Sequence, residues 1–372
     1  MKEQLQKLWT ALDEKKGHNL SMIIGLDGFV DEIVHLVGKR HNARQFDRIP
    51  TMAALSERIG RAAGLSTNIE VLPLQVKLGG NGPILSNALI SYGVKLSYIG
   101  ALGNPVHPVF EDMAGKCEKI YPLCEAAYNQ GIEFDDGKLL MGKLEVLNEI
   151  TWERFKEVVG SPSEIAALIG KCDLFGLENW TMVLYMNQIM QGLINEVFPL
   201  MADSMGVVKP LAFFDLADPE KRSEEDILEA MKLIGKFESK FRTILGLNEK
   251  EMYQIAKVLG VKENGLKNTT VETYKKLGIY CLAVHPVKEA ACCINGEYYQ
   301  VKGPYCEKPL LTTGAGDNFN AGFCLGQALG FKPMDSLTLG VSTSGYYVRN
   351  AKSPTYVEIM GFVKEWHDSG SI

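Results

Sequence analysis

The chain has no run of about 18 consecutive apolar residues, so no segment reads as a helix that crosses a bilayer. Its first sixteen residues lack the apolar core and small-residue cleavage site of a secretory leader. They are charged and amphipathic, and a cytoplasmic location is the expectation. An excess of positive charge is missing as well. With 39 Lys plus Arg against 45 Asp plus Glu, the formal net charge is −6, which argues against nucleic acid as a partner. None of the eight cysteines forms a C-x-x-C pair, and the adjacent Cys292 and Cys293 suit a zinc site poorly. Reduced thiols packed as small hydrophobes are expected instead. Repeats, low-complexity tracts and charge blocks are lacking too, and the composition excludes disorder, collagen and coiled coil.

What remains is a chain of 372 residues, 46% hydrophobic, with ample material for a full core. Leu5, Leu8, Trp9 and Leu12 recur at helical spacing and predict an amphipathic N-terminal extension over residues 1–20, stopping at Gly17. Short apolar runs at 22–25, 96–99, 174–177, 211–214, 243–247 and 280–284 read as buried strands. Helix-like stretches at 52–63, 82–92, 163–169, 186–205, 223–237 and 250–259 alternate with them. That rhythm predicts one α/β domain over 21–372, with a mostly parallel sheet buried on both faces by helices. Asp136-Gly137 and Asn295-Gly296 are hairpin signals. The first suggests a small sheet standing off the main one, with strands from 29–50 and 120–150.

The strongest chemical signal is Thr312-Thr313-Gly314-Ala315-Gly316-Asp317, a loop of small residues feeding a helix. Such a turn exposes backbone N–H groups at the positive end of the helix dipole and suits an anion. Asp317 would repel an anion, so its presence makes sense if it takes a proton from a hydroxyl that attacks the anion. The plainer alternative is a first-turn carboxylate that favours the dipole. Gly137-Lys138-Leu139-Leu140-Met141-Gly142-Lys143-Leu144 fits phosphate-loop spacing until Leu144, where Ser or Thr is required, and reads as a strand.

The run from Thr312 to Asp317, followed by Phe319, Gly322 and Phe323, resembles the C-terminal signature of the ribokinase, or PfkB, family of carbohydrate kinases. The resemblance implies a ribokinase-like three-layer fold with a β-sheet lid, and an ATP-dependent kinase acting on a hydroxyl of a small sugar. Asp317 would be the general base, and the amides of Gly314, Ala315, Gly316 and Asp317 the anion hole. Thr312 and Thr313 would lie at the nucleotide. Gly79-Gly80-Asn81 is similar to the family's sugar-contacting loop, although Ile84 stands where relatives often carry asparagine; either Asn87 substitutes or that contact is absent. Either Asp27 or Asp31 would bind the sugar, since a carboxylate can accept two hydroxyls. The other reading of Asp27-Gly28 is a plain turn.

Asn248 and Glu251 resemble the family's N-x-x-E motif, which helps place Mg²⁺ and its waters, yet the same spacing fits a helix capping box. Asp218 and Arg222 match, loosely, residues near the nucleotide, and His285 falls near the adenine region or is structural. Asn104 and Leu311 replace aspartates found in relatives. In relatives the aspartate at the second position supports a monovalent cation, and Leu311 argues against potassium activation here. Expected partners are ATP and a small sugar, with no nucleic acid or membrane, and a homodimer is left open. Two rival functions are a nucleoside kinase of the same fold and a non-catalytic sugar- or nucleotide-binding relative.

Overall fold

Successive strand residues point to opposite faces, and here both faces are apolar. In β1 (Ser21–Leu26), Ile23 packs into one core while Met22 and Ile24 pack into another. The computed structural model describes residues 1–202 and 208–370. Among these, a nine-stranded sheet combines β1 with β5 (Lys95–Gly100), β6 (Lys119–Pro122), β9 (Leu174–Leu177), β10 (Leu211–Asp215) and β11 (Arg242–Leu247). It also contains β12 (Cys281–Val284), β13 (Glu289–Ile294) and β14 (Glu297–Lys302). The order is β14-β13-β12-β11-β10-β9-β1-β5-β6. All neighbours pair in parallel except at the β12–β13–β14 edge, where Asn295 and Gly296 turn the final hairpin with φ of 53° and 81°.

One face is covered by helices that include Trp152–Val159, Pro162–Ile169, Glu224–Lys236 and Glu249–Val258. The other carries Lys2–Glu14, Asn81–Ser91, Ala315–Ala328, Pro333–Asn350 and Tyr356–Ser369. The result is a three-layer α/β architecture with flanking helices, as the sequence led us to expect. The N-terminal helix belongs to the second of these cores: Leu5, Leu8 and Leu12 are fully buried, in contact with the two C-terminal helices.

A second, five-stranded sheet stands apart. It comprises β2 (Phe29–Arg40), β3 (Phe46–Arg48), β4 (Glu70–Gly79), β7 (Ala127–Phe134) and β8 (Gly137–Lys143). β4 was not foreseen, because Pro73 and a largely exposed pattern hide it from a search for buried runs. The β7–β8 turn falls one residue earlier than expected, on Asp135 and Asp136, with Gly137 opening β8. The phosphate-loop lookalike lies along β8. The helix expected over 186–205 runs from Met186 to Gly192, widens to a π-turn at Leu193–Val197 and tightens into a 3₁₀ turn at Phe198–Leu200. The end of that expectation, residues 203–205, lies outside the described residues.

Burial of the first helix generates a prediction. Leu8→Ala leaves a cavity between that helix and its neighbours and should cost about 2–5 kcal/mol, read as a lower midpoint in urea unfolding.

Candidate active site

In open parallel sheets, ligands bind outside the carboxyl ends of the strands. Here Asp27 follows β1, Glu178 follows β9, Asp215 ends β10, Asn248 follows β11 and His285 follows β12. The helices Asn81–Ser91 and Ala315–Ala328 begin at the same end. Gly314 precedes the second helix with φ of 93°, a conformation that favours glycine. A side chain there would meet the Tyr347 hydroxyl at 2.8 Å, which donates to the Thr313 carbonyl at 2.8 Å. Gly316 lies against the His285 ring, so a β-carbon would sit 3.1 Å from its Cε1. The loop thus keeps its backbone bare. Of the four amides expected to form an anion hole, that of Ala315 is turned back onto the Thr312 carbonyl at 3.1 Å.

Asp317 is buried in the first turn, and its Oδ1 accepts from the side-chain amide of Asn81 at 3.0 Å. Burial, and then the charge of Asp27, push its carboxyl up to about 8, against the pull of Asn81. The Asn81 amide also donates to Asp215 at 3.3 Å, and Asn320 holds the other Asp215 oxygen at 3.1 Å. Asp27 is fully enclosed. It accepts from the backbone N–H groups of Asn81 and Gly82 at 3.0 and 2.9 Å and from the Asn179 amide at 2.8 Å. Burial still raises it to about 6. Glu178 is fully buried with neither carboxylate oxygen partnered among the described residues; burial, followed by Asp215, Asp317 and Asp27, raises it well above the carboxylate range.

Asp31 sits on the second sheet, half-buried, in a cross-strand row with Lys77 of β4 and Asn129 of β7. Asn129 donates to it at 3.3 Å, and a side chain on Gly79 would run into its carboxyl group. Burial raises its pKa while Asn129 and then Lys77 and Lys138 lower it. Beyond the Gly314 loop lies a cleft of about 520 Å³. Its lining includes Pro286, Val287, Pro304, Tyr305 and Val341, together with Asn248, His285, Thr312, Ala315 and Gly316. His285 lies tilted against Phe319 at 5.0 Å between ring centres and is neutral, because burial pushes it down to about 4.

A family model for prokaryotic ketohexokinase matches residues 10–366. The chain belongs to the prokaryotic ketohexokinase family. It is therefore a carbohydrate kinase, a phosphotransferase with an alcohol group as acceptor, and the resemblance to the ribokinase family holds over nearly its whole length. A ketohexokinase from Haloferax volcanii is 27% identical over 349 residues, covering 93% of this chain and 92% of that relative. The fold is shared with an Arabidopsis thaliana ribokinase solved with ribose and ATP, at a TM-score of 0.63 and 14% identity, covering 93% and 98% of the two chains. It is shared too with a putative ribokinase II from E. coli solved with ATP and Mg²⁺, at 0.62 and 14%, covering 93% and 99%.

In this ketohexokinase-family chain the geometry brings together Asp27, Gly80, Asn81 and Asp317, with Asp31 and Gly79 on the sheet beside them. Asn248 and Glu251 form a capping box, and Glu251 also accepts from the Asp218 N–H at 2.9 Å. Arg222 is not among the gathered residues. Its guanidinium stacks on Trp180 and points at the carbonyls of Trp180, Thr181 and Leu184. Sequence reasoning passed over Glu178, Asn179, Asp215 and Asn320. An acid directly after a buried strand was a usable signal for Glu178, and i, i+3 spacing from Asp317 was one for Asn320.

The electrostatics set a sign for stability. The Asp317 carboxyl titrates near about 8 when folded against 3.8 when free, so the folded chain holds its proton more tightly. That contribution is complete below about pH 4 and is lost as pH rises through 8. Asp317→Asn removes this share of the dependence. It should melt roughly 2–4 °C above the parent near pH 9, with the gap closing toward pH 4, as calorimetry across that range would record.

Proposed function

We propose that this kinase transfers the γ-phosphoryl group of ATP to a hydroxyl of a small sugar, ketohexoses being the first class to try, with Asp317 as general base. The observation that carries the reading is the place of Asp317. It sits in the first turn of a helix whose bare N-terminal loop borders the cleft on one side and the Asp27–Asn81 network on the other.

The sugar would lie on Asp31 and the Gly79–Asn81 loop. Asp27 serves that loop, because its oxygens already accept from Asn81, Gly82 and Asn179. Asp317 takes the proton of the attacking hydroxyl as its oxygen bonds to the γ-phosphorus and the bond to the β-phosphate oxygen breaks, releasing ADP. Unpaired N–H groups at the helix start face the charge on the transferring oxygens. The cleft is apolar enough for a nucleobase, with Thr312, Ala315 and Gly316 in its wall for the phosphates. Bound Mg²⁺ neutralises phosphate charge. Asn248 and Glu251 fit its water shell rather than the ion, since their side-chain oxygens already accept backbone N–H groups. A nucleoside is the weaker substrate class. The row facing the sugar is polar, Lys77, Asp31 and Asn129, while Phe134 and Phe29 are buried in separate apolar clusters.

The reading places the chain in the cytoplasm, where ATP meets free thiols. It also includes a homodimer paired through the second sheet, where Val76 and Met141 are 52% and 55% exposed on the face opposite Asp31. Light scattering should give twice the chain mass, and a monomer would remove this part.

ADP release from Mg-ATP across ketohexoses, aldoses, sugar acids, polyols and nucleosides tests the function. Turnover should appear on a sugar and fall about 10²–10⁴-fold in Asp317→Asn. Its acid limb should climb toward the raised Asp317 value of about 8, because only the ionised carboxylate accepts a proton. Asp31→Asn should raise KM for the sugar and leave that for ATP unchanged. Ligand-induced thermal shifts without turnover on any compound would instead favour a non-catalytic binder.

A further inference from the structure

The role of Asp317 rests on the function proposed above, but the contacts around it carry a separate consequence. A carboxamide has two N–H hydrogens and one carbonyl oxygen. At Asn81 the same nitrogen lies 3.0 Å from Asp317 Oδ1 and 3.3 Å from Asp215 Oδ1. Two carboxyl groups flank this end of the amide, and once they are ionised the donor end must sit there, because a flipped amide would set its oxygen against both. Asp215 cannot easily turn away. Asn320 holds its second oxygen at 3.1 Å, and the Ala217 N–H also contacts it. The backbone of Asn81 is pinned separately, by its N–H on Asp27 at 3.0 Å.

We propose that Asp215 is a positioning residue for phosphoryl transfer, acting through the Asn81 amide. By taking one of its two hydrogens, Asp215 fixes the amide so that the other is spent on Asp317 Oδ1. This has two effects. Oδ1 of Asp317 is engaged, which leaves Oδ2 as the oxygen that receives the hydroxyl proton. Asn81 has no N–H left for the sugar and offers only its carbonyl oxygen, so it accepts from a hydroxyl and rejects an acceptor at that place. Asp215 itself touches no reacting atom. Asn320 is a second support, because it prevents rotation of the Asp215 carboxylate.

The experiment compares the parent chain with Asp215→Ala and Asn320→Ala in two measurements. Alanine is the informative change, because an asparagine at 215 would keep a carbonyl oxygen able to accept from Asn81. In steady-state kinetics on the sugar that the parent turns over, Asp215→Ala should lower kcat roughly 10–100-fold. The KM for ATP should stay within two-fold, and Asn320→Ala should move in the same direction by less. A residue that merely holds the fold would shift both KM values and the melting temperature together. In nitrogen-15 spectra of the ligand-free chain, the Asn81 side-chain hydrogens should exchange slowly with solvent in the parent and rapidly in Asp215→Ala. This second reading needs no substrate, so a parent without kinase activity would defeat the functional proposal while the exchange rates still decide whether Asp215 fixes the Asn81 amide. Slow exchange retained in Asp215→Ala, or an unchanged kcat, overturns the inference. If Asp215→Ala does not fold, Asn320→Ala decides by the same two readings.

Discussion

Everything at the carboxyl end of the sheet turns on keeping several carboxylates close together in a place that excludes water. Asp27, Glu178, Asp215 and Asp317 all lie at most 8% exposed, and like charges in such a setting repel strongly. The chain answers with neutral donors rather than cations. Asn81, Asn179 and Asn320, with the N–H groups of Asn81 and Gly82, supply hydrogen bonds to three of the four acids. Neutral amides stabilise the carboxylates without cancelling their charge, so proton affinity stays high. An arginine or lysine in the same place would pull the acids down into the ordinary carboxylate range.

The same constraint explains the division of labour between the two sheets. The nine-stranded sheet, buried on both faces, delivers its acids from strand ends, where the backbone is held on both sides by neighbouring strands. The smaller sheet brings Asp31 on a surface that also carries Lys77 and Asn129, a mixed row suited to hydroxyl groups. Glycines make the meeting possible. Gly79 lets Asp31 approach, Gly80 at φ 98° turns the chain from β4 into its helix, and Gly314 and Gly316 leave room for Tyr347 and His285.

Legibility followed the range of the information. Alternation of short apolar runs and amphipathic stretches is local, and it revealed six of the seven parallel strands among the described residues and most of the helices between them; β6, expected in the smaller sheet as part of 120–150, instead pairs with β5 at the edge of the large one. The loop from Thr312 to Asp317 was equally local, six residues whose smallness and single acid state their chemistry. β4 was lost because an exposed strand with Pro73 carries neither a hydrophobic run nor a clean period. Asn248 and Glu251 remained ambiguous because a capping box and a metal motif share one spacing, and the fold shows the box with its metal role still to be tested. Arg222 loosely matched a residue near the nucleotide by position, and its guanidinium is engaged by Asp226, by three backbone carbonyls and by the Trp180 ring.

By itself the sequence determined the layer architecture and the helix-start loop, since both depend on periodicity and on residues adjacent in the chain. It could not choose between Asp27 and Asp31, nor disclose that Asn81 joins Asp215 to Asp317 across 134 and 236 positions. The bridge through Asn81 is decided by tertiary structure. Hydrogen bonding is directional and short-ranged, so which oxygen an amide meets depends on how strand ends from distant segments converge.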